Sequence, residues 1–554
     1  MRMSFVQTLW DRIDPEDRKL VKAFFYMQLL VIGLGGLLAI FAAASRVPVL
    51  GGALQDQFYN FMTGHATLIF FYGMGLFSII LVLGFGLGLL ETNTKLAGGT
   101  KLGWFSFWLI AISLVLSIVA FLLGADTTYM ANPVTSPFQY TWIQHLSYTI
   151  LSFGSIIIYA QFMVTALRKR PKRNLNHLAF ACGIVALLGL FGYVAVLYTM
   201  YLGLGPLIGI SDPVATGDWD HAFHFYFHII HYVPLVAMYI GAFIIAYQWN
   251  VPTTSGEKYL RAVWGAYMFL VPPTWFYHFL LDPAIPPVER ATGSVLALLV
   301  DVPPIILFST WLAAWIILLR SRTNVKGGWL RNLPWGSPDF AWIICGFIIM
   351  AIPGALAGGS LIAAGIAEWL SHSWAVPGYF HPVAGAVLMA FFGISHYLIP
   401  LMTKRKIWNP KLALATPYMF AGGMVFYGLG GIVSGYYGLP RRFADITVGA
   451  EAGGTLPWIP WMNVAGLGML ITVIAGVCFM TVMVMTALKG ERVEEPGKEY
   501  AGVGFGEAEV VPKFRPLSQW AYTVAQIPGI VVVLMIWGIA LISLIIMTYF
   551  PIIG

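Results

Sequence analysis

Cysteine is nearly absent from this 554-residue chain: Cys182, Cys345 and Cys478 each stand alone inside an apolar run, without a CxxC or CxxCH spacing. A covalently attached c-type haem, a zinc finger and an iron-sulfur cluster are excluded by that scarcity of thiolates. Charge is scarce as well. Asp, Glu, Lys and Arg together make up 10% of positions against 59% hydrophobic residues, and the mean hydropathy is +0.78. Soluble domains carry about 25% charged residues, so a soluble fold is excluded and the chain reads as an integral membrane protein. The N-terminus, MRMSFVQTLWDRIDPEDRK, has no short apolar core followed by a small-residue cleavage site. No cleavable signal peptide is expected there.

What the sequence has instead is a succession of apolar runs. About thirteen of them are long enough to cross roughly 30 Å of hydrocarbon as helices. They centre near residues 21–44, 61–90, 103–124, 146–167, 178–204, 221–248, 260–281, 292–319, 339–366, 375–402, 412–437, 459–487 and 521–549. No stretch between them is long enough for a soluble unit, so residues 1–554 are expected to form a single all-α membrane domain.

The net charge of +7 and pI near 9.1 express topology, not affinity for nucleic acid. Of the 31 basic residues, 27 fall at the N-terminus or in the alternate loops on its side, and four, Arg46, Arg290, Arg441 and Arg442, fall on the other. By the positive-inside rule the N-terminus is cytoplasmic, in a prokaryotic cytoplasmic membrane. The segment from Gly490 to Pro516, rich in Glu, Gly and Pro, reads as an exposed inner connection.

Strongly polar side chains inside lipid need a partner or a cofactor, which makes the eleven histidines informative. His65, near the outer end of the second span, and His381, near the outer end of the tenth, reach the same outer third of the membrane. Two neutral imidazoles from facing helices are what a six-coordinate haem iron takes as axial ligands; interhelical hydrogen bonding is the competing role. His221, His224, His228 and His231, spaced 3, 4 and 3, share one face of the sixth helix. That face reads as packed or solvated rather than as a metal cluster.

His278 closes the seventh span at similar depth. His145, His177, His372 and His396 read as loop or packing residues, and Met480, Met483 and Met485 as packing rather than copper ligands. Arg441 and Arg442 run against the positive-inside trend. Such a pair suits an anion such as haem propionate, or an ion pair with Asp445. Asp301, inside the eighth span, is a functional candidate or a partner for a neighbouring side chain.

In order and spacing, these features resemble subunit I of the haem-copper oxidase superfamily, particularly its B-type branch. The resemblance covers nearly the whole chain. It runs through GHATLIFFYG with His65, HIIHY with His228 and Tyr232, and WFYHFLLDP with His278. PWGSPDFAWIICGFIIMAIPGALAGG, VPGYFH with His381, and LPRRF with Arg441 and Arg442 follow. The resemblance implies a b-type low-spin haem between His65 and His381, with Arg441 and Arg442 on its propionates. His228 and Tyr232 match the family's copper ligand and its cross-linked tyrosine.

Two departures concern the oxygen-reducing centre. Where the family places the high-spin haem ligand, this sequence has Tyr379, and the adjacent histidine pair that completes the copper site has become Tyr277-His278. Hydroxyl positions that carry protons inward in B-type members appear as Pro304 and Leu307. The second haem and the copper therefore lack full ligand sets, and His228 with His278 would be a vestigial or remodelled copper site. Tyr379 could bind ferric iron as a phenolate. Tyr232, Tyr379 and Asp301 are the candidate catalytic groups.

The leading expectation is a haem-copper-oxidase-like membrane cytochrome b, passing electrons through one low-spin haem in a respiratory oxidoreductase. One alternative is a catalytic subunit I of a terminal oxidase or nitric oxide reductase with a remodelled site that could also draw on His224 or His231. Another is a non-redox scaffold or transporter. The implied partners are membrane lipid, a companion subunit like oxidase subunit II or another redox subunit, and an outer-side carrier such as cytochrome c or quinol. No nucleic-acid partner is implied.

Overall fold

Hydrocarbon offers no hydrogen bonds, so a chain crossing it satisfies its peptide groups within each helix. The apolar runs fold accordingly. The structure, a computed structural model, describes residues 5–50, 54–90, 93–125, 133–134, 140–169, 176–249, 251, 256–274, 286–321, 329–359, 368–441 and 456–493.

Twelve helices carry the architecture. They are α1 (Pro15–Ala44), α2 (Phe58–Leu90), α3 (Thr100–Leu122), α4 (Thr141–Arg168), α5 (His177–Leu204) and α6 (His221–Gln248). After α7 (Glu257–Leu270) come α8 (Ala291–Leu319), α9 (Pro338–Ala355), α10 (Ala375–Thr403), α11 (Pro410–Tyr436) and α12 (Ile459–Lys489). A short helix, Phe5–Asp11, precedes them. Among the described residues there is no β-strand, only isolated bridges.

Eleven of the twelve are long and apolar enough to span a bilayer. The exception is α7, which stops at Leu270 ahead of Pro272 and Pro273, whose missing N–H groups cannot continue the ladder. Residues 275–281 of that predicted span, like the thirteenth at 521–549, lie outside the described residues.

Elsewhere the helices coincide with the predicted runs. The main difference is that α1 starts at Pro15, because Asp14 caps it through the Glu16 N–H at 3.0 Å and the charged first turn precedes the apolar stretch. Asn176 and Asn409 cap α5 and α11 in the same way.

The centre of the bundle is α2 and α10, whose apolar windows are 94% and 89% buried, while α3 and α12 are each only 33% buried and turn most of their apolar surface outward. Two helices leave the α-helical pattern. In α2, Thr67–Met74 and Val82–Gly86 are π-helical, and after Ile349 α9 continues as π-helix over Met350–Gly359. Such wide turns recur at functional sites.

Buried polar contacts tie the helices together. The Tyr72 hydroxyl of α2 meets Ser113 and Ser117 of α3, both at 3.1 Å, and Ser147 of α4 at 2.8 Å. The Asp339 carboxylate at the start of α9 accepts from the Trp249 indole at 2.8 Å and from the Ser337 and Tyr397 hydroxyls, joining α6, α9 and α10.

His381 is placed by a close backbone crossing three residues upstream. A Cβ added at Gly378 of α10 would lie 2.5 Å from the Ile432 nitrogen and 2.8 Å from the Gly431 carbonyl carbon of α11. Only glycine fits. Gly378→Ala is expected to force α10 and α11 apart, costing about 1–3 kcal/mol. The checks are a lower thermal midpoint of the purified complex and reduced haem retention.

Candidate functional site

His65 enters from the first turns of α2 and His381 from the second turn of α10, both at the end of the bundle remote from the N-terminus. Their imidazole rings are parallel to within 5°, with centroids 6.3 Å apart. Two metal–imidazole bonds of about 2 Å, with roughly 1 Å more from each nitrogen to its ring centre, span about 6 Å. The separation fits one metal ion held between the two rings.

The tautomers fit as well. His65 Nδ1 lies 2.9 Å from the Gly35 carbonyl of α1, and His381 Nδ1 lies 2.9 Å from the Pro377 carbonyl. A carbonyl oxygen only accepts, so each Nδ1 carries the proton and donates it. Each Nε2 is left as the basic nitrogen, the arrangement that orients histidine for a metal. The Tyr427 hydroxyl lies 3.4 Å from the same Nδ1 of His381.

Both rings line a cavity of about 550 Å³ that is continuous into the bundle centre. A porphyrin requires such an apolar space beside its ligands, and the residues present fit a haem.

Arginine stands at the remote end of the cavity. Arg441 lines it; Arg442 and Asp445 lie outside the described residues. The structure adds Arg46, which the sequence reading used only for topology. Arg46 is 2% exposed, its guanidinium carbon lies 3.5 Å from the Phe58 ring centroid and 4.9 Å from that of Trp374, and it lines the same cavity. One signal could have found it: an arginine at the far end of α1 breaks the positive-inside trend as Arg441 does.

The other predicted groups His228, Tyr232, Asp301 and Tyr379 line the same cavity. The Thr274 hydroxyl donates to the Val271 carbonyl at 2.7 Å, so His228 Nδ1, 3.2 Å from Thr274 Oγ1, is the donor there and Nε2 the basic nitrogen. The His228 and Tyr232 rings are 6.4 Å apart. Asp301 sits at a break in α8, between helical segments Pro287–Leu299 and Val302–Ser321. Pro304 lines the cavity and Leu307 is buried. Tyr277 and His278 lie outside the described residues.

Of the remaining sixth-helix histidines, His231 also lines the cavity, wedged edge-on between Phe70 and Phe380 at 4.2 and 4.8 Å between centroids, and His224 is buried. His145 and His396 donate to the Thr141 and Phe392 carbonyls of their own helices, at 2.9 and 2.7 Å. His177 accepts from the Trp264 indole at 3.3 Å and meets the Tyr247 hydroxyl at 2.6 Å.

The fold and this cavity define the class first: an all-helical integral membrane protein whose centre presents paired imidazoles. The sequence then assigns the family. Residues 19–471 match the family model "Cytochrome C and Quinol oxidase polypeptide I", and the chain belongs to that family, the haem-copper oxidase subunit I proteins, as a divergent member.

Cytochrome c oxidase subunit 1 of Thermus thermophilus is 28% identical over 362 residues, 61% of this chain and 61% of that protein. The Yarrowia lipolytica cytochrome c oxidase subunit 1 is 25% identical over 507 residues, covering 83% and 84%. A chain of a heme-copper terminal oxidase dimer solved by cryo-EM superposes with a TM-score of 0.74 at 18% identity, covering 94% of this chain and 91% of that one, a likeness of fold. Membership and the eleven candidate spans among the described residues make this an integral membrane protein of an oxidase family.

Arg46→Ala removes a cation stacked between Phe58 and Trp374, a contact worth about 1–2 kcal/mol when desolvated. The expected outcome is a lower thermal midpoint, and Arg46→Lys is expected to recover only part of it because an ammonium does not stack as a planar guanidinium does.

Proposed function

We propose that this chain is the haem-carrying subunit I of a respiratory membrane oxidoreductase, working as one membrane unit through residues 1–554. In this reading electrons pass by way of one low-spin b-type haem between His65 and His381. The observation that carries it is the pair of parallel imidazoles 6.3 Å apart, each with Nδ1 committed to a carbonyl. Haem held there by His65 and His381 would supply a one-electron iron couple.

The chain's own contributions are specific. Gly35 and Pro377 hold the rings in one tautomer, so neither ligand reorganises. The apolar cavity excludes water, and Arg46, Arg441 and Arg442 would hold propionates at the remote end. Electrons would come from an outer-side carrier, cytochrome c or quinol, through a companion subunit like oxidase subunit II or another redox subunit. In this reading the chain sits in a prokaryotic cytoplasmic membrane with its N-terminus in the cytoplasm, an orientation that the charge asymmetry of the loops supports.

In this reading the oxygen-reducing centre is degenerate, since Tyr379 and Tyr277 stand where two metal-binding histidines are expected. A second reading, a terminal oxidase with a remodelled dinuclear site, is favoured by a different observation. The cavity does not end at His65 and His381 but runs on to His228, Tyr232, Tyr379 and Asp301.

Haem quantification with a carbon monoxide difference spectrum separates the two. The first reading expects one haem per chain and no carbon monoxide band. Two haems per chain, one binding carbon monoxide, with stoichiometric copper and oxygen consumption, would replace it by the second. Within either reading, His65→Ala or His381→Ala is expected to abolish the low-spin spectrum and at least 90% of electron flow, roughly the tenfold loss that corresponds to 1.4 kcal/mol. Unchanged spectra and electron flow would instead mean a non-redox scaffold.

A further inference from the structure

At the opposite end of the bundle, on the side of the N-terminus, a cleft of about 680 Å³ opens between the loop after α10 and the end of α12, lined by Thr403, Lys404, Arg405, Ala487, Arg492 and Val493. Its cations are brought together by the fold, since Arg405 and Arg492 are 87 residues apart in sequence.

The local backbone makes the pairing close. Arg405 and Arg492 form an isolated antiparallel bridge. The flanking bonds run from Lys406 N to the Glu491 carbonyl at 2.8 Å and from Val493 N to the Lys404 carbonyl at 3.0 Å. The two arginines are thus a non-hydrogen-bonded pair, the kind in which facing side chains come nearest. Like charges directly opposite one another destabilise a strand pair.

Among the described residues, neighbouring groups do not neutralise this pair. Glu491 is engaged by Lys406 at 3.2 Å. Arg405 spends one guanidinium nitrogen on the Gly490 carbonyl at 2.6 Å, which caps the α12 C-terminus, and Arg492 makes no ion pair among the described residues. Lys22 of α1 adds its ammonium at the Met402 carbonyl, 3.3 Å away, beside the rim.

A second feature points the same way. Lys404 has φ of 53°, in the left-handed region that favours glycine, and it both ends α10 and contributes a charge to the cleft. Non-glycine residues held in this region cluster at active sites and ligand clamps. The positive-inside rule explains why cations lie on this face. It does not explain two arginines locked opposite each other across a cleft.

We propose that this cleft binds a phosphate group through Arg405, Arg492 and Lys404, borne either by an anionic phospholipid of the inner leaflet or by free phosphate. Guanidinium groups match phosphate oxygens in geometry, and basic pockets between membrane helices on this face suit lipid headgroups.

The test uses the full chain in its native complex, in nanodiscs of phosphatidylcholine with or without phosphatidylglycerol. Retained phosphatidylglycerol is counted by native mass spectrometry, and equilibrium binding of radiolabelled inorganic phosphate is measured in the phosphatidylcholine discs. For a lipid source, Arg492→Gln is expected to lower phosphatidylglycerol retention about tenfold, with no stoichiometric binding of free phosphate. For a free-phosphate source, the wild type binds one phosphate in the second arm and the variant binds about tenfold more weakly.

Lys404→Gly guards against misfolding as an explanation, because it relieves the left-handed strain while removing the charge. It is expected to raise the thermal midpoint and yet weaken binding. Binding unchanged by both substitutions in both arms would overturn the proposal.

Discussion

An imidazole inside a membrane has one N–H to dispose of, and where that proton goes decides what the other nitrogen can do. In this protein the Gly35 and Pro377 carbonyls take the Nδ1 protons of His65 and His381. The bond to Gly35 depends on helix approach: a Cβ at Gly35 would lie 2.7 Å from the Ile69 side chain of α2. A small residue at this crossing therefore lets a peptide oxygen of α1 reach a ring on α2. The crossing at Gly378 brings α10 close to α11, while the His381 proton goes to Pro377 of its own helix. Close backbone packing, a general feature of membrane helices, thus fixes the tautomer of His65, and the α-helical carbonyl four residues back fixes that of His381.

Much of this was legible in the sequence. Apolar run length located the helices α1 to α6 and α8 to α12, because span length follows from the one-dimensional physics of transfer into hydrocarbon. His65 and His381 were singled out by their similar depth together with the family resemblance, and the structure brings their rings within 6.3 Å. What stayed hidden depends on tertiary contacts. Nothing local marks Arg46 as buried against Phe58 and Trp374, residues 12 and 328 positions away. Nor could periodicity show that Asp339 accepts from three donors on different segments, or that Thr274 sets the tautomer of His228.

In the proposed reading, the cavity beyond His65 and His381 is a family site whose ligand set has changed while its packing remains. His228, Tyr232 and Asp301 still face one space with Tyr379, although the ligand set expected from the family is altered at Tyr277 and Tyr379. Packing around that space comes from side chains that bind no metal, such as Phe70 and Phe380 around His231. The scaffold is held by aromatic and aliphatic contacts that do not require the metal chemistry, so loss or remodelling of ligands leaves the helices where they were.

The wide turns of α2 have an evolutionary corollary. Each residue of an ordinary helix advances about 100° around its axis, and a π turn absorbs one surplus residue without breaking the rod. Two such turns follow His65, at Thr67–Met74 and Val82–Gly86. They act as phase adjusters, setting the azimuth of His65 separately from that of the half-helix below. Relatives could therefore gain or lose single residues in this stretch, swivelling the ligand toward or away from its counterpart, so deletions there would be a sharper lever on cofactor occupancy than replacements of lining side chains.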